Sequence, residues 1–470
     1  MRNTLILVVL ALGLGSFVYL TELRDPEGRE EAERAAKRLV QIDEESVSEI
    51  RLALSGGGSA LLKREGEEAD GWRLHEPVEY PGDETGVGAV LVALADLESQ
   101  SDFEASEEEL DRYGLGAEAA RVEATSDSGE RFALRLGEST PLGGNAYALL
   151  ESEPNQVHAV PAHRRRALQP ELSALRDKRV LMLEPETLRG VQVERAGRLI
   201  GIVERSGGQE GAAEGVWRMV APVEDRADDA RVARLVSDLN LLRASDFIDQ
   251  PEAPATYGLE RPLVKLALGT GDTAESLLLG KVDADVYARR AGSDLVFEIP
   301  DRILEQVPKT AFELRYKQVL AVAGDTVRAL TIEFPESQQS HRFQKLDDVW
   351  SAADAELRVD PDSIVELVEA FEWIEATGIE GGEPDLAALG LNPPQVRITL
   401  FGEESAELAR LELGTLELGR GIPARANQQA RVWRVINDLG EDIPLNAEAF
   451  ANRWIEAVPS EESGSDDLEQ

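Results

Sequence analysis

One series of landmarks recurs along this chain, and it restricts the possible folds more than any other feature. It opens at Trp72, in Gly71-Trp72-Arg73-Leu74-His75-Glu76-Pro77. An apolar segment over 87–97 follows, then Tyr113-Gly114-Leu115, Leu136-Gly137, Tyr147, Val157-His158-Ala159-Val160 and Arg176-Asp177-Lys178. The order returns with Trp217 and Pro222, an apolar segment over 232–242, Tyr257-Gly258-Leu259, Leu279-Gly280, Tyr287, Val296-Phe297-Glu298-Ile299 and Arg315-Tyr316-Lys317. Trp72 and Trp217 stand 145 residues apart, Tyr113 and Tyr257 144, Gly137 and Gly280 143, Arg176 and Arg315 139. A weaker third copy carries Trp350, a helical segment over 362–373, Leu389-Gly390-Leu391, Leu413-Gly414, Val432-Trp433-Arg434-Val435 and Arg453-Trp454, and it lacks the proline after the tryptophan. A period of about 140 residues is a domain length, far beyond the roughly 20–50 of solenoid repeats. Three tandem globular modules are expected, over 46–185, 186–324 and 325–457.

Within a module the apolar pattern changes period. Val47 to Leu54 alternates apolar and polar, as a half-buried strand does. Ser55-Gly56-Gly57-Gly58-Ser59 is a turn, and 60–64 is the return strand. Trp72 falls on a third short strand that Pro77 stops. Val87, Val90, Leu91, Leu94 and Leu97 have helical spacing, with Asp83 in the N-terminal cap region. Beyond Tyr-Gly-Leu the strands resume, with 121–125 and 132–136 flanking the turn Ser126-Asp127-Ser128-Gly129. Tyr147 to Leu150 and Val157 to Val160 form a further pair, and 168–175 is expected as a short closing helix. Runs of strands with segregated helices define an α+β class with antiparallel sheets.

The N-terminus belongs to a different environment. Residues 4–20 carry no charge, and seventeen helical residues reach ~26 Å, the short end of a membrane span. Arg2 precedes the run and acidic residues follow it. The charge asymmetry places the N-terminus in the cytoplasm and the remaining chain outside it. A cleaved signal peptide competes with an uncleaved anchor. Phe17, Val18, Tyr19 and Leu20 occupy the place where signal peptidase wants small residues, which favours the anchor. Residues 21–45 read as a charged helical stalk, with a disordered tether as the alternative. Residues 458–470 read as a disordered acidic tail.

The formal net charge is −41, and such a surface repels phosphate backbones, so nucleic acid is not an expected partner. The acidity reads mainly as solubility, with a cation-binding or basic-partner surface as the sharper reading. There is no cysteine, which removes disulfides, thiolate catalysis and a lipoprotein anchor. The four histidines are scattered, none at the spacing of a helical metal pair. Gly56-Gly57-Gly58 lacks the lysine and helix start of a phosphate loop. Asp225 to Asp229 and Asp283-Ala284-Asp285 do not fit a calcium loop, and helix capping accounts for Asp228 or Asp229. No G-x-S-x-G elbow is present. No catalytic, metal or cofactor site is therefore expected. His163-Arg164-Arg165-Arg166 is the one basic cluster. It reads either as a helix start neutralised by nearby glutamates or as a docking patch for an acidic partner or lipid head group. The recurring Trp72, Trp217, Trp350, Pro77, Pro222, Tyr113, Gly114, Tyr257 and Gly258 read as packing and turn residues, with sugar stacking by the tryptophans the minority view.

Taken together, the strand pair, Trp-Arg-Leu-x-x-Pro, apolar helix, Tyr-Gly-Leu, Leu-Gly, Val-x-x-Val and Arg-Asp-Lys resemble the bacterial family known as domain of unknown function 4340. The match is good over about 45–320 and fair over 325–455. Tyr-Gly-Leu-x-x-Pro is intact only at Tyr257 to Pro262. The resemblance implies membrane-anchored proteins found beside ABC transporters of the gliding-motility type, and it supplies no catalytic residues. The expected role is thus a non-catalytic, extracytoplasmic binding or scaffold protein on the bacterial inner membrane, partnered with an ABC-type permease or another envelope protein. An envelope hydrolase and a solute-binding module are the alternatives.

Overall fold

The computed structural model of the chain describes residues 37–65, 71–206, 215–270, 274–354, 357–436, 439 and 443–455. The expected membrane anchor (4–20), most of the stalk (21–45) and the tail (458–470) lie outside the described residues. Among the described residues no helix is long and apolar enough to cross a membrane.

The first nine strands are β1 (Val47–Ala53), β2 (Ser59–Glu65), β3 (Gly71–Glu76), β4 (Tyr80–Pro81), β5 (Ser101–Glu104), β6 (Ala120–Ser126), β7 (Arg131–Ser139), β8 (Asn145–Leu150) and β9 (Gln156–Pro161). They form one antiparallel sheet in the order β4-β3-β2-β1-β6-β7-β8-β9-β5. Two meanders, β1–β4 and β6–β9, join through the β1–β6 pair, and β5 lies outside both. It reaches the far edge beside β9 after the helix Glu84–Ala95. In β1, Ile50 and Leu52 bury the same face, while Val47 is out of phase with them. A bulge between Val47 and Glu49 restores Val47 to the buried side.

The second nine are β10 (Gly190–Arg195), β11 (Arg198–Ser206), β12 (Val216–Ala221), β13 (Asp225–Arg226), β14 (Asp246–Ile248), β15 (Val264–Leu268), β16 (Glu275–Val282), β17 (Asp285–Arg290) and β18 (Val296–Ile299). Their order is β13-β12-β11-β10-β15-β16-β17-β18-β14, the first sheet with every label raised by nine. The third nine are β19 (Gln318–Leu320), β20 (Ala329–Phe334), β21 (Gln339–Leu346), β22 (Val349–Ala352), β23 (Ile374–Ile379), β24 (Val396–Phe401), β25 (Glu407–Leu413), β26 (Ile422–Ala426) and β27 (Trp433–Val435). Read from the other edge, their order is β22-β21-β20-β24-β25-β26-β27-β23-β19. The Trp350 strand β22 is the edge here, where the first two sheets add β4 and β13.

The helix is set the same way in each copy. Asp83 accepts from the Gly86 N–H at 2.6 Å, Asp228 from Arg231 N–H at 2.9 Å and Asp360 from Asp362 N–H at 3.3 Å. These carboxylates satisfy first-turn amides that have no partner inside a helix. The buried stripes are Val87, Val90, Leu91 and Leu94, then Val232, Leu235, Val236 and Leu239, then Ile364, Leu367 and Val368. The chain is therefore α+β, three tandem modules each built on one antiparallel sheet with segregated helices.

Two expectations require correction. The closing helix is not at 168–175. A helix runs over Ala162–Ala167, and only a 3-10 turn, Leu172–Ala174, follows. Leu168, Leu172 and Leu175 have helical spacing, but Pro170 disfavours the helical conformation at Gln169 and removes a donor. In the third copy, Arg453 does not take the place of Arg315. Gly82 bridges Arg176, Ala227 bridges Arg315 and Val359 bridges Ile455, so Ile455 holds that place. The helix Ala447–Trp454 extends to Trp454, which is buried, and displaces the register by two.

A further repeated element connects the modules. Leu39 N–H donates to the Leu97 carbonyl at 2.8 Å, and Ser99 N–H to the Lys37 carbonyl at 2.9 Å. In the same pattern Val180 N–H donates to Leu242 and Ala244 N–H to Lys178, at 3.2 and 2.8 Å. Ala376 N–H donates to Lys317 at 2.8 Å, beside the β19–β23 pairing. The first two stretches precede their sheets and line the chain just ahead of β5 and β14, and the third is β19, which pairs with β23 at the sheet edge. The chain divides into two compact units. The first comprises residues up to Met182 with Leu241–Pro251 and Asp294–Pro300, and the second comprises Leu183–Asn240, Glu252–Ser293 and Asp301 onward.

Candidate functional site

The recurring Tyr-Gly-Leu and Leu-Gly landmarks are two halves of one contact. Gly114, Gly258 and Gly390 end 3-10 or turn segments in the left-handed region, with φ of 68°, 67° and 66°, which favours glycine. Each lies against the residue after the strand glycine. A Cβ on Gly258 would sit 2.9 Å from the Lys281 carbonyl oxygen, and one on Gly390 2.8 Å from the Thr415 nitrogen. The strand glycines answer in kind. A Cβ on Gly137, Gly280 or Gly414 would overlap the carbonyl oxygen of Tyr113, Tyr257 or Leu389 respectively. Tyr113 packs edge-on against Tyr147, and Tyr257 against Tyr287, with centroids 4.9 and 5.1 Å apart. Trp72, Trp217 and Trp350 are all buried. Arg64 and Arg205 cover the first two at 5.1 and 5.4 Å. Pro77 and Pro222 follow cis peptide bonds at the ends of β3 and β12.

The recurring arginine clamps the residue at one position of the short edge strand. In the first unit Arg176 is 2% exposed. Its guanidinium lies against the rings of both Tyr80 and Phe247, 4.5 and 4.1 Å from their centroids. It donates to both oxygens of Asp249, at 2.9 and 2.8 Å. The second copy has Asp225 where the first has Tyr80. There Arg315 and Arg431 each donate to Asp225 at 2.6 Å. Burial alone would raise the Asp225 carboxyl; the hydrogen bonds and charges of Arg431 and Arg315 outweigh it and hold the group below the ordinary aspartate value. A depressed folded-state pKa contributes stability above the unfolded value, and that contribution is lost as pH falls through the folded value. Asp225→Asn is therefore expected to destabilise at neutral pH, with the gap to wild type narrowing below about pH 3.9. Urea midpoints measured from pH 7 to pH 3 test this, and a gap that stays constant would refute it.

The basic cluster is partly committed to structure. His163, Arg164, Arg165 and Arg166 lie on the helix Ala162–Ala167. Arg164 donates to Asp96 at 3.2 Å, and Arg165 to the Gly137 carbonyl at 3.1 Å. His163 and Arg166 face solvent. His158 is buried, with Nδ1 3.0 Å from the Ser99 hydroxyl. Among the described residues no three His, Asp or Glu side chains converge as a metal site.

A cavity of about 790 Å³ opens in the second unit, where the segment after Tyr257-Gly258-Leu259 crosses β10, β15 and β16. Arg261, Lys265 and Lys281 line it together with Glu194, Pro262 and Leu263. Its size is that of small-molecule sites, about 300–1,000 Å³. Sequence reasoning missed it. The signal was the arginine inside the one intact Tyr-Gly-Leu-x-x-Pro, next to a lysine following Leu-Gly.

The fold and its landmarks define a tandem array of one antiparallel-sheet module. The chain belongs to the family described as Domain of unknown function (DUF4340), which matches residues 72–215 and 217–393. No curated protein matches the chain.

Proposed function

We propose that the chain is a membrane-anchored, extracytoplasmic binding and scaffold protein, a non-catalytic accessory component of an envelope complex of the ABC-transporter type. The observation that carries this reading is where the recurring residues go. Trp72, Trp217 and Trp350 fill cores, and the paired glycines of Tyr-Gly-Leu and Leu-Gly allow backbone contact. What repeats is a packing plan, while exposed positions such as Glu138, Lys281 and Thr415 differ between copies, as in a protein that presents several related faces to partners. Tandem faces raise the effective concentration of one contact once another has formed. The charge-free run over 4–20 supports an inner-membrane anchor with the bulk of the chain outside the cytoplasm. The test is purification from native membranes in mild detergent with residues 1–36 intact. Stoichiometric recovery with an ABC-type permease is expected, and recovery of the protein alone would count against the proposal.

A further inference from the structure

Around one cation that all three copies share, four positions of the second module change in a coordinated way. Sheet register aligns Lys265 with Arg121 and Arg397, because Val264 pairs Leu279 as Ala120 pairs Leu136 and Val396 pairs Leu413. In the other copies this cation is neutralised: Arg121 meets Glu151 at 3.2 Å, and Arg397 meets Glu412 at 2.9 Å. In the second copy the positions of those two glutamates are Ala291 and Leu278. The flanking positions change in the opposite sense. Lys281 stands where the other copies have Glu138 and Thr415, and Arg261 where they have Ala117 and Pro393. Two acids have been withdrawn from this surface and two cations added, while one acid, Glu194, stays opposite Lys265 as Glu333 stays opposite Arg397.

All three cations line the same cavity, and none makes an ion pair among the described residues. Glu194, across the strand from Lys265, accepts from Gln192 at 2.7 Å. Glu305, near Lys281, is paired with Lys309. Three like charges round one cavity repel one another, and an anion relieves that repulsion. In a chain of net charge −41 this local reversal is not a consequence of composition. Pro262, Leu263 and Ala196 add apolar wall to the same space. An ion alone would leave that wall wet.

We infer that this cavity binds a small organic anion, a phosphate or carboxylate carried on an apolar body, with Arg261, Lys265 and Lys281 holding the anionic group and Pro262 and Leu263 packing the body. The inference does not depend on the membrane role. It is tested on the full chain in detergent by calorimetric titration with three probes: 1-naphthyl phosphate, 1-naphthol and inorganic phosphate. One-site saturation by 1-naphthyl phosphate is expected, tighter than by either other probe by about tenfold or more, because each supplies only half of the interaction. Arg261→Ala with Lys281→Glu installs residues that the first module already carries at these positions. That variant should lose the binding and keep its melting transition. If it fails to fold, Lys265→Ala, at an exposed position, takes its place, and the affinity should fall with added salt. Absence of saturable binding, equal affinity in the variants, or inorganic phosphate binding as well as 1-naphthyl phosphate would each overturn the assignment.

Discussion

Arg176→Ala is expected to cost the first compact unit about 3 kcal/mol, among the larger effects a single substitution produces. The side chain is almost wholly enclosed, so its loss removes packing as well as charge. It fixes Asp249 through a bidentate pair, and its guanidinium packs against both Tyr80 and Phe247, which themselves meet edge to face at 5.5 Å. The estimate sits at the low end for a broken buried pair because Asp249 is 31% exposed and rehydrates once the arginine is gone. Arg176→Lys separates the contributions. It keeps the charge but has neither the fork for both carboxylate oxygens nor the plane for stacking, so it should restore only a minor part. Urea denaturation read by tryptophan fluorescence measures both. A loss below about 1 kcal/mol for alanine would place the arginine with ordinary surface pairs.

Local sequence made much of the module legible. The β1–β2 hairpin, the short Trp72 strand, the Asp83-capped helix and the β6–β7 hairpin follow from alternation, turn residues and helical spacing, all of which act within a few residues. What escaped was pairing at a distance. Lys37-Arg38-Leu39-Val40, Lys178-Arg179-Val180-Leu181 and Lys317-Gln318-Val319-Leu320 are visibly related. Their partners near Leu97, Leu242 and Ile374 lie over fifty residues on, so no local period announces them. The clamp of Arg176 was hidden for the same reason. Tyr80 and Asp225 occupy one position with unlike chemistry, and only the register shows that an arginine serves both. The cavity was the least legible feature, because Arg261, Lys265 and Lys281 become neighbours only when β15 and β16 pair and the Gly258 turn folds over them.

The glycine contact yields the second large effect. Gly280→Ala is expected to destabilise the second unit by about 3 kcal/mol, the upper range for overpacking. The added methyl would overlap the Tyr257 carbonyl oxygen and stand 2.8 Å from the Gly258 carbonyl carbon. The three nearest atoms are all backbone, so no side-chain rotation clears them. The turn itself must lift from the strand, and Leu259, 2% exposed in the core beneath, would lift with it. Gly88→Ala provides the contrast. It lies inside the helix Glu84–Ala95, where a new Cβ meets nothing within 4 Å. Alanine there reduces the entropy lost on folding and should stabilise by about 0.5–1 kcal/mol. Opposite signs for the same chemical change, read as urea midpoints, would establish that the Leu-Gly landmark recurs because two backbones touch there. A mild effect at Gly280 would mean that the turn yields, and the threefold recurrence of the motif would then need another cause.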